Sequence, residues 1–381
     1  MKDAAAVAAD VRLPRPAVRS SDRSVDTASS VRLFFEGDQL YGAMLQSIAD
    51  ARHSVWMECY LFAADEIGWM FVQALSERAQ AGVDVRVHLD AAGALWRTSG
   101  AMVEQLRAQG VSVKWFHRWS WRHPWRYNRR NHRKLLVVDG VRAYVGGFNV
   151  HRESARSIVG ERRWRDTHAV VEGTLAAQAA ALFEMFWRGR RERSRAPCGV
   201  DLPALLPNHS RRCRQRIRCL YANWLAEARW RVRLTTPYFV PDLHLLRRLV
   251  AAARRGVLVE LLVPAHSDVV LAQWAARAFY DRLIRAGVHV HEYLPRMLHA
   301  KTLVVDGTRA LVCTANLDYR SFHLNHELLL ATGDADACAR LDCQFDEDLA
   351  QSMRITRQRW DLRSWTHRVL EHIGHAARRW L

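Results

Sequence analysis

The sequence predicts an α/β protein built from a duplicated domain: two mixed β-sheet halves flanked by helices, sharing one active site at their interface. Three observations carry this. An order of helix, strand, helix and strand occurs twice, about 170–180 residues apart, far beyond the roughly 20–50 of a solenoid repeat. The pattern H-x-K-x4-D-G also occurs twice, from His132 and Lys134 to Asp139-Gly140 and from His299 and Lys301 to Asp306-Gly307. Each copy runs through a Leu-Val-Val segment of the kind that forms a buried strand.

The elements follow in order. Residues 1–30, rich in Ala, Ser, Asp and Arg without periodicity, are expected to be a disordered arm. Residues 40–51 (LYGAMLQSIADA) space their apolar side chains as an amphipathic helix, and 54–62 read as a strand. A second helix covers 67–81, and a buried strand over 84–90 follows the Gly82 turn. The set then returns. Residues 220–228 (LYANWLAEA) repeat the first helix, and TTPYFV within 229–240 matches CYLF at 59–62. Residues 245–255 form the second helix again, and 256–264 (GVLVELLVP) match 82–90 (GVDVRVHLD). The basic segment 188–217, with three prolines and little periodicity, reads as a linker. The repeats are therefore expected at 31–187 and 218–352, with a basic amphipathic C-terminal helix over 353–381.

Composition narrows the partners. Hydrophobic residues are 49% of the chain, enough for a sizeable core. Lys+Arg number 57 against 39 Asp+Glu, a formal charge of +18 that calls for an anionic partner, nucleic acid or acidic lipid. No uncharged apolar stretch is long enough for a transmembrane helix, and the apolar start at 4–9 is too short for a signal peptide. The seven cysteines are scattered without a CxxC pair, which favours neither disulfides nor a zinc site and suits a reducing cytoplasm. No metal and no cofactor is expected.

The duplicated motif carries chemistry. Side chains alternate along a strand, so His132 and Lys134 share a face, as do His299 and Lys301. Imidazole is the side chain best placed to attack or to donate a proton near neutral pH. The lysine adds fixed positive charge, and Asn149 and Asn316, each following its histidine at the same interval, add amide donors. Together they suit a phosphoryl group whose charge must be stabilised. Two copies supply two imidazoles, one to attack phosphorus and one to protonate the leaving oxygen. Asp139 and Asp306 belong to the same signature, but each ends a strand before a glycine, so a role in the turn is expected of them. His88, His168, His291 and His326 have no metal-ligand spacing and read as structural or surface histidines.

These residues resemble the phospholipase D superfamily, whose hallmark is the duplicated H-x-K-x4-D motif. The first copy continues as Gly146-Gly147-Phe148-Asn149, similar to the family's G-G-x-N; the second reads Cys313-Thr314-Ala315-Asn316, with cysteine where the family usually has glycine. Trp164-Arg165-Asp166-Thr167-His168 and the stretch from Asn316 to Phe322 resemble the bacterial cardiolipin synthase branch, in a short form without N-terminal transmembrane helices. The resemblance covers residue 31 to about 350. It implies a phosphatidyltransferase that passes a phosphatidyl group from phosphatidylglycerol or another phospholipid to a lipid alcohol through a phosphohistidine. His132 would be the nucleophile and His299 the acid. The family also holds each histidine with a carboxylate; by position these would be Asp166 in the first half and Glu327 in the second. The alternative is a phosphodiesterase of the same superfamily, hydrolysing phospholipid or nucleic acid.

From residue 105 to 138 there is no acidic side chain, while Trp115, Trp119, Trp121 and Trp125 alternate with arginines and lysines. In the tail, Leu362, Trp365, Val369, Ile373, Ala376 and Trp380 recur at helical spacing. Tryptophan with basic charge suits an anionic lipid surface. The expected partners are thus phospholipid substrates and an anionic membrane rather than nucleic acid, with the protein peripheral on the cytoplasmic face of the cell membrane.

Overall fold

The computed structural model describes residues 30–95, 97–123, 127–190, 200–208 and 210–377. The expected arm at 1–30 lies outside them except for Ser30. The chain divides into two compact units. The first runs to Glu192 and takes in His326–Leu328; the second holds the remainder.

The first unit opens with β1 (Val31–Phe34), α1 (Gly37–Ala49), β2 (Ser54–Cys59), α2 (Glu66–Gln80) and β3 (Asp84–Asp90). Then come α3 (Gly100–Ala108), β4 (Ser112–Phe116), β5 (Leu135–Val138), β6 (Arg142–Gly146), the short α4 (Arg156–Val159), β7 (His168–Glu172) and α5 (Thr174–Trp187). Seven strands form one sheet in the order β1-β7-β6-β5-β2-β3-β4. Strands β2, β3 and β4 are parallel, and β5 turns antiparallel against β2. The pleat sorts β2 between two layers. Val55, Met57 and Cys59 join the core with Leu40 of α1 and Phe71 of α2, while Trp56 stacks on Phe183 of α5 at 5.3 Å. Glu58 therefore lies on the α5 side, where a charged residue has to find partners.

The second unit repeats this plan. It contains β8 (Ala204–Pro207), α6 (Arg211–Glu227), β9 (Arg231–Thr235), α7 (Leu243–Arg254), β10 (Leu258–Pro264), α8 (Val270–Arg277), α9 (Tyr280–Arg285) and β11 (His289–Tyr293). It continues with β12 (Thr302–Val305), β13 (Arg309–Cys313), α10 (Tyr319–His323), β14 (Leu328–Thr332), α11 (Ala335–Ala350), β15 (Ser352–Arg354), α12 (Arg357–Asp361) and α13 (Trp365–Ala377). Its eight strands run β15-β11-β10-β9-β12-β13-β14-β8, the first sheet's order with β15 added beyond β11. The junction of parallel and antiparallel pairing recurs too, at β9 and β12.

Two boundaries differ from the sequence reading. Residues 188–217 are not all linker: β8 takes the sheet edge beside β14, and α6 begins at Arg211. The basic residues hid the first turns of this helix, expected only from 220, whose buried side is Cys213, Ile217, Leu220 and Trp224. The tail is likewise not one helix. β15 pairs with β11, and α12 precedes α13.

The motif aspartates act as turn anchors in both units. Asp139 and Asp306 adopt positive φ, 51° and 54°. Asp139 accepts the backbone N–H groups of Arg52, His53 and Ser54 at 2.9, 2.7 and 2.8 Å. Asp306 does the same for Arg229, Trp230 and Arg231 at 2.9, 3.0 and 2.9 Å. Each ties the motif strand's exit to the entry of its antiparallel neighbour, β2 in the first unit and β9 in the second. Burial pushes both carboxyls up, but the three N–H donors hold them below the usual carboxylate range.

We expect Asp139→Asn and Asp306→Asn each to lower stability by about 1–2 kcal/mol at neutral pH, the charge-assisted bonds being screened at these partly exposed sites. A depressed carboxyl stabilises the fold fully above its unfolded value, about pH 4, and loses that contribution as pH falls through the folded value. Urea titrations at neutral pH and at about pH 3 should show the wild-type advantage shrinking in acid. An advantage that is constant across this range contradicts the assignment.

Candidate active site

In the first unit the residues before β5 enter a charged but buried pocket. Asn131 donates from Nδ2 to Glu58 at 3.1 Å and from its backbone N–H to Asp90 at 2.7 Å. Arg133 pairs with Glu58 at 3.3 Å, both buried, and its guanidinium lies 4.8 Å from the ring centre of Phe186. Arg130 pairs with Asp90 at 3.4 Å. Burial pushes the Glu58 and Asp90 carboxyls up; Arg133 and Arg130 respectively are the leading forces back toward the charged form. Glu58 and Asp90 thus clamp the chain on either side of His132.

Glu327 and Tyr60 both meet the ring itself. His132 Nδ1 lies 3.0 and 3.1 Å from the two carboxylate oxygens of Glu327, which is fully buried. The phenol ring of Tyr60 meets the imidazole edge-to-face at 4.8 Å. A carboxylate on Nδ1 favours the tautomer that carries its proton there, with Nε2 as the basic nitrogen. The sequence assigned Glu327 to the second half's histidine. The structure sets it on His132 because backbone bonds hold it there: His132 N–H donates to His326 O at 2.9 Å, and His326 N–H to Arg130 O at 2.7 Å. His326 packs its ring against Phe116 and Phe186.

Lys134 is buried and donates from Nζ to His132 O at 2.9 Å. With Asn149 and His168 it lines a small cavity in the first unit. Asn149 Oδ1 accepts the Leu61 N–H at 3.3 Å, so the amide orientation is fixed by the chain just past β2. Asp166, also buried, accepts the Thr167 N–H at 2.7 Å. Its carboxylate lies directly over Gly147, where a Cβ would stand 2.0 Å from Oδ1. That contact is the physical reason for a glycine in the G-G-x-N segment. Burial pushes the His168 imidazole down to about 3, Asp166 opposing and Lys134 adding to the shift, so the ring is neutral.

The second unit reproduces the motif with a different surround. Lys301 donates to His299 O, as Lys134 does to His132 O, and lies 2.9 Å from His299 Nδ1. The Asn316 backbone N–H donates to the Ser321 hydroxyl oxygen at 3.1 Å, and the Ser321 N–H donates to the Asp318 carboxylate at 2.7 Å. Leu298 and Ala300 occupy the positions of Asn131 and Arg133, packed with Leu262, Tyr293 and Phe345. Cys313, in place of the family's glycine, is buried with its sulfur 3.6 Å from the Tyr221 hydroxyl.

Sequence reasoning did not single out Tyr60 or Arg133, and it saw Ser321 as part of the family-like stretch without a role. Tyr60 had a signal: a tyrosine follows the strand in both CYLF and TTPYFV. Of the tryptophans read as membrane contacts, Trp119, Trp121 and Trp365 are exposed and Trp115 is half-buried; Trp125 and Trp380 lie outside the described residues. His88 is buried, which pushes it down to about 3. Glu260, His289 and His291 bring ligand-type atoms within 4.8 Å of one another. The carboxylate of that group is already engaged, accepting from Arg233 Nε at 3.1 Å.

This arrangement, a duplicated sheet with one H-x-K motif per unit, has clear relatives. The family model described as "Cardiolipin synthase, PLD-like domain" matches residues 44–187 and 221–349. A cardiolipin synthase of Geobacillus kaustophilus is 33% identical over 383 aligned positions, covering 95% of this chain and 74% of that protein. A probable cardiolipin synthase of Bacillus subtilis is 30% identical, covering 89% and 70%. Among solved structures, a phosphatidylserine synthase of Haemophilus influenzae superposes with a TM-score of 0.70 at 14% identity, covering 92% of this chain and 95% of that one. At that identity the likeness speaks for the fold alone. The chain belongs to the cardiolipin synthase family of phospholipase D-like proteins.

Replacing Glu327 by Gln should keep the fold and lower kcat by about 10²–10⁴-fold, since the ring loses the charge that fixes its tautomer and raises its basicity. Circular dichroism and steady-state turnover check this; an unimpaired Glu327→Gln enzyme would contradict the role given to the contact.

Proposed function

We propose that the protein transfers a phosphatidyl group from phosphatidylglycerol to the hydroxyl of a second lipid, through a phosphohistidine on His132. The carrying observation is the buried Glu327 carboxylate on His132 Nδ1, which makes Nε2 the attacking nitrogen. Membership of a phosphatidyltransferase family supports the reaction class.

In the first step Nε2 of His132 attacks phosphorus, the P–O bond to the glycerol headgroup breaks, and the departing oxygen takes a proton from His299. In the second, His299 removes a proton from the incoming lipid hydroxyl, whose oxygen attacks phosphorus and breaks the N–P bond. With phosphatidylglycerol in both roles the products are cardiolipin and glycerol. Lys134, Lys301 and the amides of Asn149 and Asn316 stabilise charge on the phosphoryl oxygens. Lysines, rather than a carboxylate cage for a cation, supply the positive charge in this scheme.

Rapid quenching of wild type mixed with phosphate-labelled phosphatidylglycerol should leave acid-labile, base-stable label on the protein, absent in His132→Ala. His132→Ala and His299→Ala should each lose turnover while remaining folded. Label that forms in His132→Ala would assign the nucleophile elsewhere. Phosphatidic acid as the main product would make the enzyme a hydrolase, and cleavage of single-stranded DNA would change the substrate class. Turnover should also survive EDTA; loss that one specific metal restores would overturn the metal-free scheme.

A further inference from the structure

The last helix turns its apolar stripe the wrong way for ordinary packing. A surface helix normally buries that stripe against the body. In α13 the opposite holds. The side that meets α8 is small and polar: a Cβ on Gly374 would lie 2.4 Å from the Ala275 backbone nitrogen, and buried Glu371 accepts from Arg363 Nε at 3.1 Å. The close approach at Gly374 and the buried ion pair fix the helix in this rotation. The apolar residues at i, i+4 and i+8 consequently face outward, Trp365 at 73%, Val369 at 48% and Ile373 at 49% exposure, with Leu362 just before the helix at 85%.

Four large apolar side chains in one exposed line need an occupant. The flanking charge selects it. From residue 354 onward the sequence has Arg354, Arg357, Arg359, Arg363, Arg368, Arg378 and Arg379 against only Asp361 and Glu371. Arg359 and Arg368 are exposed beside the stripe. An apolar line headed by tryptophan and flanked by arginine matches an anionic bilayer surface, apolar residues in the acyl boundary and guanidinium groups at the phosphates.

We propose that the outward face of α13, formed by Leu362, Trp365, Val369 and Ile373, is a docking surface that seats the second unit on an anionic phospholipid bilayer. This goes beyond the catalytic reading and does not depend on it, since it involves no motif residue.

The test compares the full chain with a Trp365→Ser/Val369→Ser/Ile373→Ser variant in flotation with phosphatidylcholine vesicles containing or lacking phosphatidylglycerol. Turnover of a short-chain, monomerically dissolved phosphatidylglycerol is measured alongside. Wild type should float with the anionic vesicles, partly released by high salt as charge is screened. The variant should bind roughly 100-fold more weakly, yet turn over the dissolved lipid at the wild-type rate. Equal flotation of both proteins overturns the proposal. So does a wild-type dimer that becomes monomeric in the variant without loss of flotation, which would give the stripe to a second copy of the chain. Loss of dissolved-lipid turnover in both proteins would count against the catalytic reading and leave the flotation result to stand alone.

Discussion

Burying charge at the entrance to β5 is the constraint on which the first unit's site depends. Arg130, Arg133 and Lys134 lie in consecutive or nearly consecutive positions and are all buried. Unpaired, each would cost several kcal/mol. Glu58, from the α5 side of β2, and Asp90, from the end of β3, answer the two arginines, and the Asn131 side chain and backbone bridge the two carboxylates. Once those pairs are made, the peptide at 131–133 has little freedom, and the His132 ring can only point where Glu327 and Tyr60 receive it. Losing one partner would leave a buried charge uncompensated, so the clamp is stiff as well as polar.

The duplication kept the scaffold and changed this layer. Both units keep the strand order, the aspartate in positive φ with its three N–H donors, and the lysine bonded to its histidine's carbonyl. Those features are set by backbone geometry, which tolerates little variation. The side facing away from the chemistry was free to diverge. Where the first unit has Glu58, Asn131 and Arg133, the second has Thr235, Leu298 and Ala300, and an apolar cluster replaces the salt bridges. Buried ion pairs and well-packed apolar groups are often comparable in stability, so both solutions hold the same motif.

Glycine and cysteine tell the same story at the next strand. Gly147 has no side chain because the Asp166 carboxylate lies where a Cβ would be. The glycine before it, Gly146, is as crowded, since a Cβ there would lie 2.5 Å from His168 Cα; its counterpart in the second unit is Cys313, which ends β13 buried beside Tyr221. The departure from the family's glycine at this position is accommodated by core packing.

The sequence by itself determined the duplication, the strands carrying each H-x-K motif and the turn role of Asp139 and Asp306. These rest on local periodicity and on repetition, which a linear reading detects. It also marked Leu362, Trp365, Val369 and Ile373 as one helix face. Only the tertiary structure decided what each face meets. Periodicity shows which residues lie together, while Gly374 and Glu371 on the opposite side decide that the apolar stripe points outward. Position within a repeat suggested a carboxylate for each half's own histidine; the backbone bridge between Asn131 and His326 instead carries Glu327 to His132. The strand at 204–207 and the start of α6 were hidden for a related reason. Their prolines and arginines look like linker, and pairing with β14 and the burial of Cys213 and Ile217 are non-local events that no window of sequence contains.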